Sequence, residues 1–220
     1  MESTKNKIYN SPTFSDSNLD IDSNSEKVDS IRQIEDQSEL FHFTMNKEET
    51  YNIRKAAILK ITNQDLLSQI AQNVDDKDIK CYALEKLSDQ SKICEIATHS
   101  EDFYLRAASI QKIDDQKTLE NIALVDNDYY VRATAVKRIE NQSALEYIAF
   151  NDGDYYVRKE AVAKINNEEM LCKIVYNDED FQVRKIALRG IKNEEILTDI
   201  VKKVEDHYIK NAANLKLKST

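Results

Sequence analysis

The sequence predicts an all-α protein: a right-handed α-solenoid (superhelix) of about seven 26-residue, two-helix repeats, closed by a C-terminal capping helix. Three observations predict this fold. The 220 residues include only 2 Gly and 1 Pro, too few for a turn-rich β protein. Apolar residues follow the spacing of amphipathic helices. Basic residues recur at a strict spacing of 26: Arg54, Lys80, Arg106, Arg132, Arg158, Arg184 and Lys210.

The N-terminal segment, residues 1–26, differs from the rest of the chain because it is rich in Ser, Asn and Asp. It holds the only proline, Pro12, and its apolar residues are too scattered to form a helix face. Such a segment buries too little apolar surface to offset the entropy cost of ordering. We therefore expect a disordered polar tail at 1–26 and a repeat solenoid at 27–220, beginning with an atypical repeat at 27–43.

Each repeat has the pattern of a first helix of about three turns, a tight turn and a shorter second helix. In the copy at 126–150, Val131 and Ala135 lie on one face of the first helix, and Leu145 and Ile148 form the stripe of the second. Neither helix can bury its stripe alone, so neighbouring repeats are expected to stack. A column of small residues marks where helices cross closely: Ala57, Ala83, Ser109, Ala135, Ala161, Ala187 and Ala213.

Two polar columns mark the predicted helix boundaries. Residues suited to cap the first helix stand four positions before each basic residue: Thr50, Asp76, Asp102, Asp128, Asp154, Asp180 and Asp206. A second column follows each first helix: Asn63, Asp89, Asp115, Asn141, Asn167 and Asn193. Because Asn and Asp tolerate a left-handed backbone, we expect the second column to turn the chain between the two helices.

The pattern Asp-x-Asp-Tyr-x-Val-Arg-x-x-Ala-Val-x-x-Ile, at 126–139 and again at 152–165, resembles HEAT repeats. It is most similar to the short HEAT-like type also seen in phycobilisome lyase subunits. The resemblance covers about residues 27–220 and implies a scaffold or binding protein rather than an enzyme. It also implies a hydrogen-bonded ladder between repeats, carried by Asp126 with Arg132, Asp152 with Arg158 and Asp178 with Arg184. Earlier copies depart from the pattern, with Val74 and Ser100 at the Asp position and Lys80 at an Arg position.

The net charge of −9 argues against nucleic acid or an anionic membrane as a partner, since both require a basic face. No apolar run approaches the length of a membrane span, and the polar N-terminus lacks the apolar stretch of a signal peptide. The cysteines Cys81, Cys94 and Cys172 lack metal-ligand spacing, which is typical of reduced thiols in a cytoplasm. We expect a cytoplasmic protein without a metal or cofactor.

Residues suited to catalysis are sparse. His42, His99 and His207 are scattered, and no Cys–His dyad is recognisable, so we expect no enzymatic activity. One alternative, a lyase-like or enzyme-accessory role in handling a prosthetic group, rests on the resemblance alone. A second alternative is nucleic-acid binding along the basic column Lys60, Lys86, Lys112, Arg138 and Lys164. Cations that complement the C-terminus of each first helix, on a solvated face, explain this column more simply.

Function is expected at outward positions that vary between repeats, because every repeat needs the invariant ones. Clustered exposed aromatic side chains are typical of interaction hot spots. On second helices, the outward positions become apolar at Leu124, Tyr147, Phe150 and Tyr176. A further row of aromatic residues lies near the start of first helices: Tyr104, Tyr130 and Tyr156.

These residues predict a non-catalytic scaffold that binds another protein or a peptide. Second helices usually line the concave surface in proteins that resemble this one, so we expect binding on that face. The nearby acids Glu95, Glu120 and Glu146 favour a basic partner. The sequence does not predict an oligomeric state.

Overall fold

The computed structural model describes residues 25–219, and all regular secondary structure in that range is α-helical. No helix in this range is long and apolar enough to cross a bilayer. Helix α1 begins at Ser25, so the last two residues assigned to the polar tail belong to its first turn. The predicted disorder of residues 1–24 lies outside the described residues.

The helices are α1 (Ser25–Gln33), α2 (Gln37–Met45), α3 (Tyr51–Lys60), α4 (Gln64–Asn73), α5 (Lys77–Lys86), α6 (Gln90–His99), α7 (Phe103–Ile110), α8 (Gln116–Val125), α9 (Tyr129–Val136), α10 (Gln142–Asn151), α11 (Tyr155–Val162), α12 (Glu168–Asn177), α13 (Phe181–Gly190), α14 (Glu194–Lys203) and α15 (His207–Leu217).

The chain forms two compact units, divided between Lys60 and Ile61. The first unit contains α1 to α3, with α3 packed against both α1 and α2. In the second unit each second helix packs against the first helix that follows it, from α4 with α5 to α14 with α15. The sequence repeat therefore corresponds to a repeat in the structure, and the predicted all-α solenoid is confirmed.

Aspartates cap the first helices of the second unit, as predicted. Asp128 Oδ1 accepts hydrogen bonds from the backbone N–H groups of Tyr130 at 2.8 Å and Val131 at 3.4 Å. These amides have no partner within the helix, so the cap satisfies them. Five further aspartates serve as N-caps: Asp76, Asp102, Asp154, Asp180 and Asp206.

The prediction for the second polar column is wrong. No non-glycine residue in the range 25–219 has a positive φ angle. Asn141, for example, has φ −65° and ψ 112°, and its side chain accepts hydrogen bonds from the amides of Ser143 and Ala144. It is the N-cap of α10. The extended backbone that an N-cap adopts is enough to turn the chain, so no left-handed residue is needed.

The apolar stripes of both helices meet in a continuous core. The small-residue column is fully buried, from Ala83 to Ala213 in the second unit. From α7 to α13 the first helices contact one another more closely than the second helices do. Between α7 and α9, the buried Ala107 and Ala133 permit this close approach.

The first helices therefore form the more closely spaced of the two layers from α7 to α13. The expectation that the second helices line a concave face stays a prediction.

Candidate functional site: the outward face of α8, α10 and α12

Stacked helical hairpins give the second unit two edges with different side chains. At one edge, each second helix ends and the next first helix begins; we call it the arginine edge, because Arg106, Arg132 and Arg158 lie there. At the other edge, each first helix ends and its second helix begins; we call it the lysine edge, because Lys112 and Lys164 lie there.

On the arginine edge, arginine–aspartate pairs join consecutive repeats. Arg132 donates from Nε and Nη2 to both carboxylate oxygens of Asp152, in the next repeat, at 2.8 and 2.9 Å. Its Nη1 donates to the backbone carbonyl of Asp126, in its own repeat, at 3.0 Å. Two further pairs share this geometry, Arg106 with Asp126 and Arg158 with Asp178.

The pairing implied by the resemblance is therefore offset by one repeat. The carboxylate of Asp152 binds Arg132 of the preceding repeat, whereas Arg158 binds only the backbone carbonyl of Asp152. The Arg132 and Asp152 side chains are 16% and 7% exposed, and the hydrogen bond to Asp152 raises the pKa of Arg132. Bidentate, charge-assisted pairs of this kind fix the register of neighbouring repeats.

Where the ladder aspartate is replaced, the helix cap takes its place. Ser100 and Val204 stand at the aspartate position, and the cation binds the N-cap two residues later. Lys80 donates to Asp102 at 3.0 Å, and Arg184 Nη2 donates to Asp206 at 2.7 Å. The bonds from Arg184 and from the amide of Ile209 lower the pKa of Asp206. The ladder thus runs from Lys80 to Asp206.

On the lysine edge, cations bind backbone carbonyls of the preceding repeat. Lys164 Nζ donates to the carbonyls of Lys137 at 2.7 Å and Ile139 at 2.5 Å, and burial lowers the pKa of Lys164. These cations were predicted to complement the C-terminus of their own helix, but they complement the C-terminus of the first helix in the preceding repeat. They were also predicted to form a solvated face, but their charged groups are engaged by backbone carbonyls. Related bonds are made by Lys60 in the first unit and by Lys112, Arg138 and Lys216 in the second.

A glutamine ladder on the lysine edge was missed by the sequence reasoning. Gln142 Oε1 accepts a hydrogen bond from the amide of Asn166 at 3.0 Å, and its Nε2 donates to the carbonyl of Lys164 at 3.2 Å. The signal for it is that Gln or Glu follows the N-cap of every second helix from α4 to α14. Related bonds are made by Gln64, Gln90, Gln116 and Glu168.

Four predicted contact residues lie exposed on three neighbouring second helices, and we call them the aromatic surface: Leu124, Tyr147, Phe150 and Tyr176. Leu124, Phe150 and Tyr176 occupy the same position of α8, α10 and α12, and are 47%, 40% and 37% exposed. Tyr147 lies one turn before Phe150 and is 59% exposed. Val125, which the sequence reasoning missed, extends the apolar area on α8.

The polar neighbours of the aromatic surface are partly engaged within the fold. Tyr176 donates its hydroxyl hydrogen to Asp199 at 3.1 Å, and burial together with this bond raises the pKa of Tyr176. Glu120 and Glu146 accept hydrogen bonds from the N-cap amides Asn141 and Asn167. Two of the three acids expected to attract a basic partner therefore also join repeats.

The tyrosines near the first-helix starts do not form one uniform row. Tyr104 is exposed and its ring packs on Phe103, with ring centroids 4.0 Å apart. Tyr130 is also exposed. Tyr156 is less exposed than the other two and is half-buried. Its ring packs edge-on against Tyr129 of the preceding repeat, and the ammonium of Lys159 lies 4.2 Å from its ring centroid. Part of this row therefore contributes to packing between repeats.

A groove opens beside Phe150 on the arginine edge. It is lined by Phe150, Gly153 and Asn177, and the Arg158–Asp178 pair forms its floor. An equivalent groove lies two repeats earlier, beside Val125. Both are shallow inter-repeat features, so the apolar contact area is supplied by the exposed side chains rather than by an enclosed pocket.

The described residues offer little for metal or nucleophilic chemistry. Within residues 25–219, no group of three or more His, Cys, Asp or Glu side chains is placed to hold a metal ion. All three cysteines are free thiols, and burial is the main cause that raises the pKa of Cys81, Cys94 and Cys172. A raised pKa lowers the thiolate fraction and so the nucleophilicity at neutral pH.

Comparison with known proteins supports the fold. No family model and no curated protein matches the sequence. A solved structure described as a leucine-rich repeat variant with a novel repetitive structural motif matches 91% of this chain and 98% of its own, with 15% identity and a TM-score of 0.57. The fold is that of a helical-repeat protein. The solved structure of YibA from E. coli also matches, over 90% of this chain and 98% of its own, with 15% identity and a TM-score of 0.45.

Proposed function

We propose that this helical-repeat protein is a non-catalytic, cytoplasmic scaffold that binds another protein through the aromatic surface on α8, α10 and α12. The observation that carries the proposal is the run of exposed apolar side chains at one helix position in three consecutive repeats. The repeats on either side have Thr98 and Lys202 at that position, so the solenoid does not require an apolar residue there.

The physical argument is the cost of exposing these side chains to water. Leu124, Tyr147, Phe150 and Tyr176 each leave between 37% and 59% of their surface exposed to water. Burying them against a partner removes apolar surface from water at about 25 cal/mol per Å². Aromatic anchors that lose solvent dominate protein interfaces, and a rigid repeat scaffold holds them in place before the partner arrives.

Differential capture from a lysate of the source cell tests the proposal. The full chain serves as bait at submicromolar concentration, beside a Tyr147→Ala/Phe150→Ala variant. Loss of two anchors is expected to lower recovery of a bound protein by about tenfold or more. The matched control is Tyr208→Ala, which removes a 78% exposed tyrosine on α15, away from the aromatic surface.

The proposal requires a protein that the parent chain and the Tyr208 variant retain and the double variant loses. Both variants should keep the circular dichroism spectrum of the parent, because the substituted side chains are exposed. If all three baits retain the same proteins, the aromatic surface is not the binding site and the proposed function fails.

A further inference from the structure

The outward face of α10 carries no charge, unlike that of every other second helix in the second unit. Its outward positions hold Ser143, Tyr147, Phe150 and Asn151. The equivalent positions of the other second helices include a charged residue in each case: Asp65 on α4, Glu95 on α6, Lys117 on α8, Glu169 and Lys173 on α12, and Glu195, Asp199, Lys202 and Lys203 on α14. The aromatic surface is therefore centred on a helix whose exposed positions are uncharged, and Glu146 on the same helix is only partly exposed.

We propose that this face binds a second copy of the same chain, forming a two-fold symmetric dimer centred on α10. The inference rests on the proposed protein-binding role of the aromatic surface and goes beyond it, because an identical chain occupies the surface at high concentration. In a two-fold interface each residue near the axis meets its own copy. A charge near the axis would meet an identical charge, so this position requires a helix face without an exposed charge.

The flanking charges select the direction of the symmetry axis. With the axis parallel to α10, the order of repeats in the second copy is reversed, so α8 of each copy faces α12 of the other. Lys117 on α8 and Glu169 on α12 occupy the same helix position, 52 residues apart, and thus face each other across the interface. Both side chains are exposed, and within residues 25–219 no ion pair joins either to another residue.

The apolar residues agree with the same arrangement. Phe150 meets its own copy near the axis, and Leu124 of each copy faces Tyr176 of the other, since these residues share one helix position. An axis perpendicular to α10 would place Lys117 against Val125 and Glu169 against Asn177 instead, with no charge complementarity. The dimer with the axis parallel to α10 therefore pairs the apolar positions and the Lys117–Glu169 charges, and it places Lys173 opposite the uncharged Asn121.

The expected affinity is modest. Three 10-residue helices of about 15 Å length, spaced about 10 Å apart, cover roughly 450 Å² on each copy. The total of roughly 900 Å² is below that of a standard stable interface, so association is expected at micromolar rather than nanomolar concentration. At submicromolar bait concentration the surface is then free to bind a different protein, which keeps the lysate test independent.

Sedimentation velocity of the purified full chain from about 1 to 300 μM tests the dimer. The parent is expected to shift from monomer to twice the monomer mass over this range. Tyr147→Ala/Phe150→Ala should remain monomeric. Lys117→Glu alone and Glu169→Lys alone should each dimerise at least about tenfold more weakly, because like charges then face each other at two symmetric points.

Mixing the two charge variants gives the sharpest test. In an equimolar mixture, the Lys117→Glu copy presents two carboxylates and the Glu169→Lys copy presents two ammonium groups, so both facing pairs are opposite in sign. The mixture should recover dimerisation that neither variant shows alone, and added salt should weaken it. A parent that stays monomeric at 300 μM, or a mixture no more dimeric than its components, would overturn the dimer.

Different results would refute the scaffold function and the dimer. A monomeric parent that still retains a protein through Tyr147 and Phe150 refutes the dimer and leaves the scaffold function standing. A dimer that depends on Lys117 and Glu169, together with no differential capture, supports self-association and refutes the binding of a different protein.

Discussion

At the scale of single residues, each aspartate of the bidentate arginine–aspartate pairs binds one arginine through its side chain and another through its backbone. Asp152 accepts two bonds from Arg132 through its carboxylate, accepts a third from the amide of Asp154, and offers its backbone carbonyl to Arg158. One aspartate therefore joins two arginines in consecutive repeats. Its carboxylate is nearly buried, so nothing else in its surroundings can replace these bonds.

Asp152→Ala is expected to lower the free energy of unfolding by roughly 3 kcal/mol, because the Arg132 guanidinium is left largely buried without its counter-charge. The measurement is urea denaturation followed by circular dichroism. Lys203→Ala is the control in the same unit: it removes an exposed ion pair to Asp199 and should cost less than about 1 kcal/mol. Equal losses in the two variants would show that the ladder contributes no more than a surface pair.

The resemblance to HEAT repeats implied a ladder between repeats, but it paired the carboxylate of Asp126 with Arg132 instead of with Arg106. In a 26-residue repeat, an aspartate 6 residues before one arginine lies 20 residues after the preceding one. Both spacings recur equally, so periodicity cannot distinguish Asp126 paired with Arg132 from Asp126 paired with Arg106. The choice depends on how far one hairpin lies from the next, which is a property of packing.

At the scale of helices, polar side chains from one repeat complete the helix ends of another. The Lys164 ammonium binds the end of α9, whose last carbonyls have no partner within the helix. Gly190 holds the equivalent position in the next repeat, where a Cβ would lie 2.5 Å from Leu171 Cδ1. Close packing of α12 against α13 therefore explains why the cation column is interrupted there.

Lys164→Met is expected to cost about 1–2 kcal/mol of stability, since Met keeps the apolar stem but leaves the carbonyls of Val136, Lys137 and Ile139 without their cation. Urea denaturation of this variant is compared with that of Lys192→Met, which changes an exposed lysine on the same edge. If Lys192→Met destabilises the chain as much, the loss reflects net charge and not helix capping.

The helices themselves were largely predictable from the sequence, because each requires only local signals. Apolar spacing identified the two stripes, and aspartate at a fixed distance before each anchor marked the first-helix starts. The Asn141 column was misassigned because Asn suits both a left-handed turn and an N-cap. The Gln or Glu that follows each of these caps was the neglected clue, since it belongs inside a helix that has already begun.

At the scale of the whole stack, predicting the candidate site required information that a single repeat does not contain. The exposed positions of Leu124, Phe150 and Tyr176 followed from comparing repeats with one another. The closer packing of the first helices against one another did not, because it depends on how neighbouring repeats stack.

Because contacts link each repeat to its neighbours, removing one whole repeat should leave a working solenoid. Deleting residues 127–152 removes α9 and α10 and joins Asp126 to Gly153, which holds the position of Asn127. Asp126 keeps its bond to Arg106, and its carbonyl becomes available to Arg158. The shortened chain is expected to retain the mean residue ellipticity of the parent at 222 nm and to melt cooperatively, several degrees lower.

The matched control deletes less of the chain but breaks the pattern. Removing residues 127–139 takes out α9 alone and leaves α8 followed directly by α10, so two second helices face each other without the first helix that buries their stripes. This half-repeat deletion should lose helicity per residue and cooperative melting, although it removes half as many residues. If the whole-repeat deletion is the more damaging of the two, nearest-neighbour stacking does not stabilise the fold, and the buried core must depend on contacts that span several repeats.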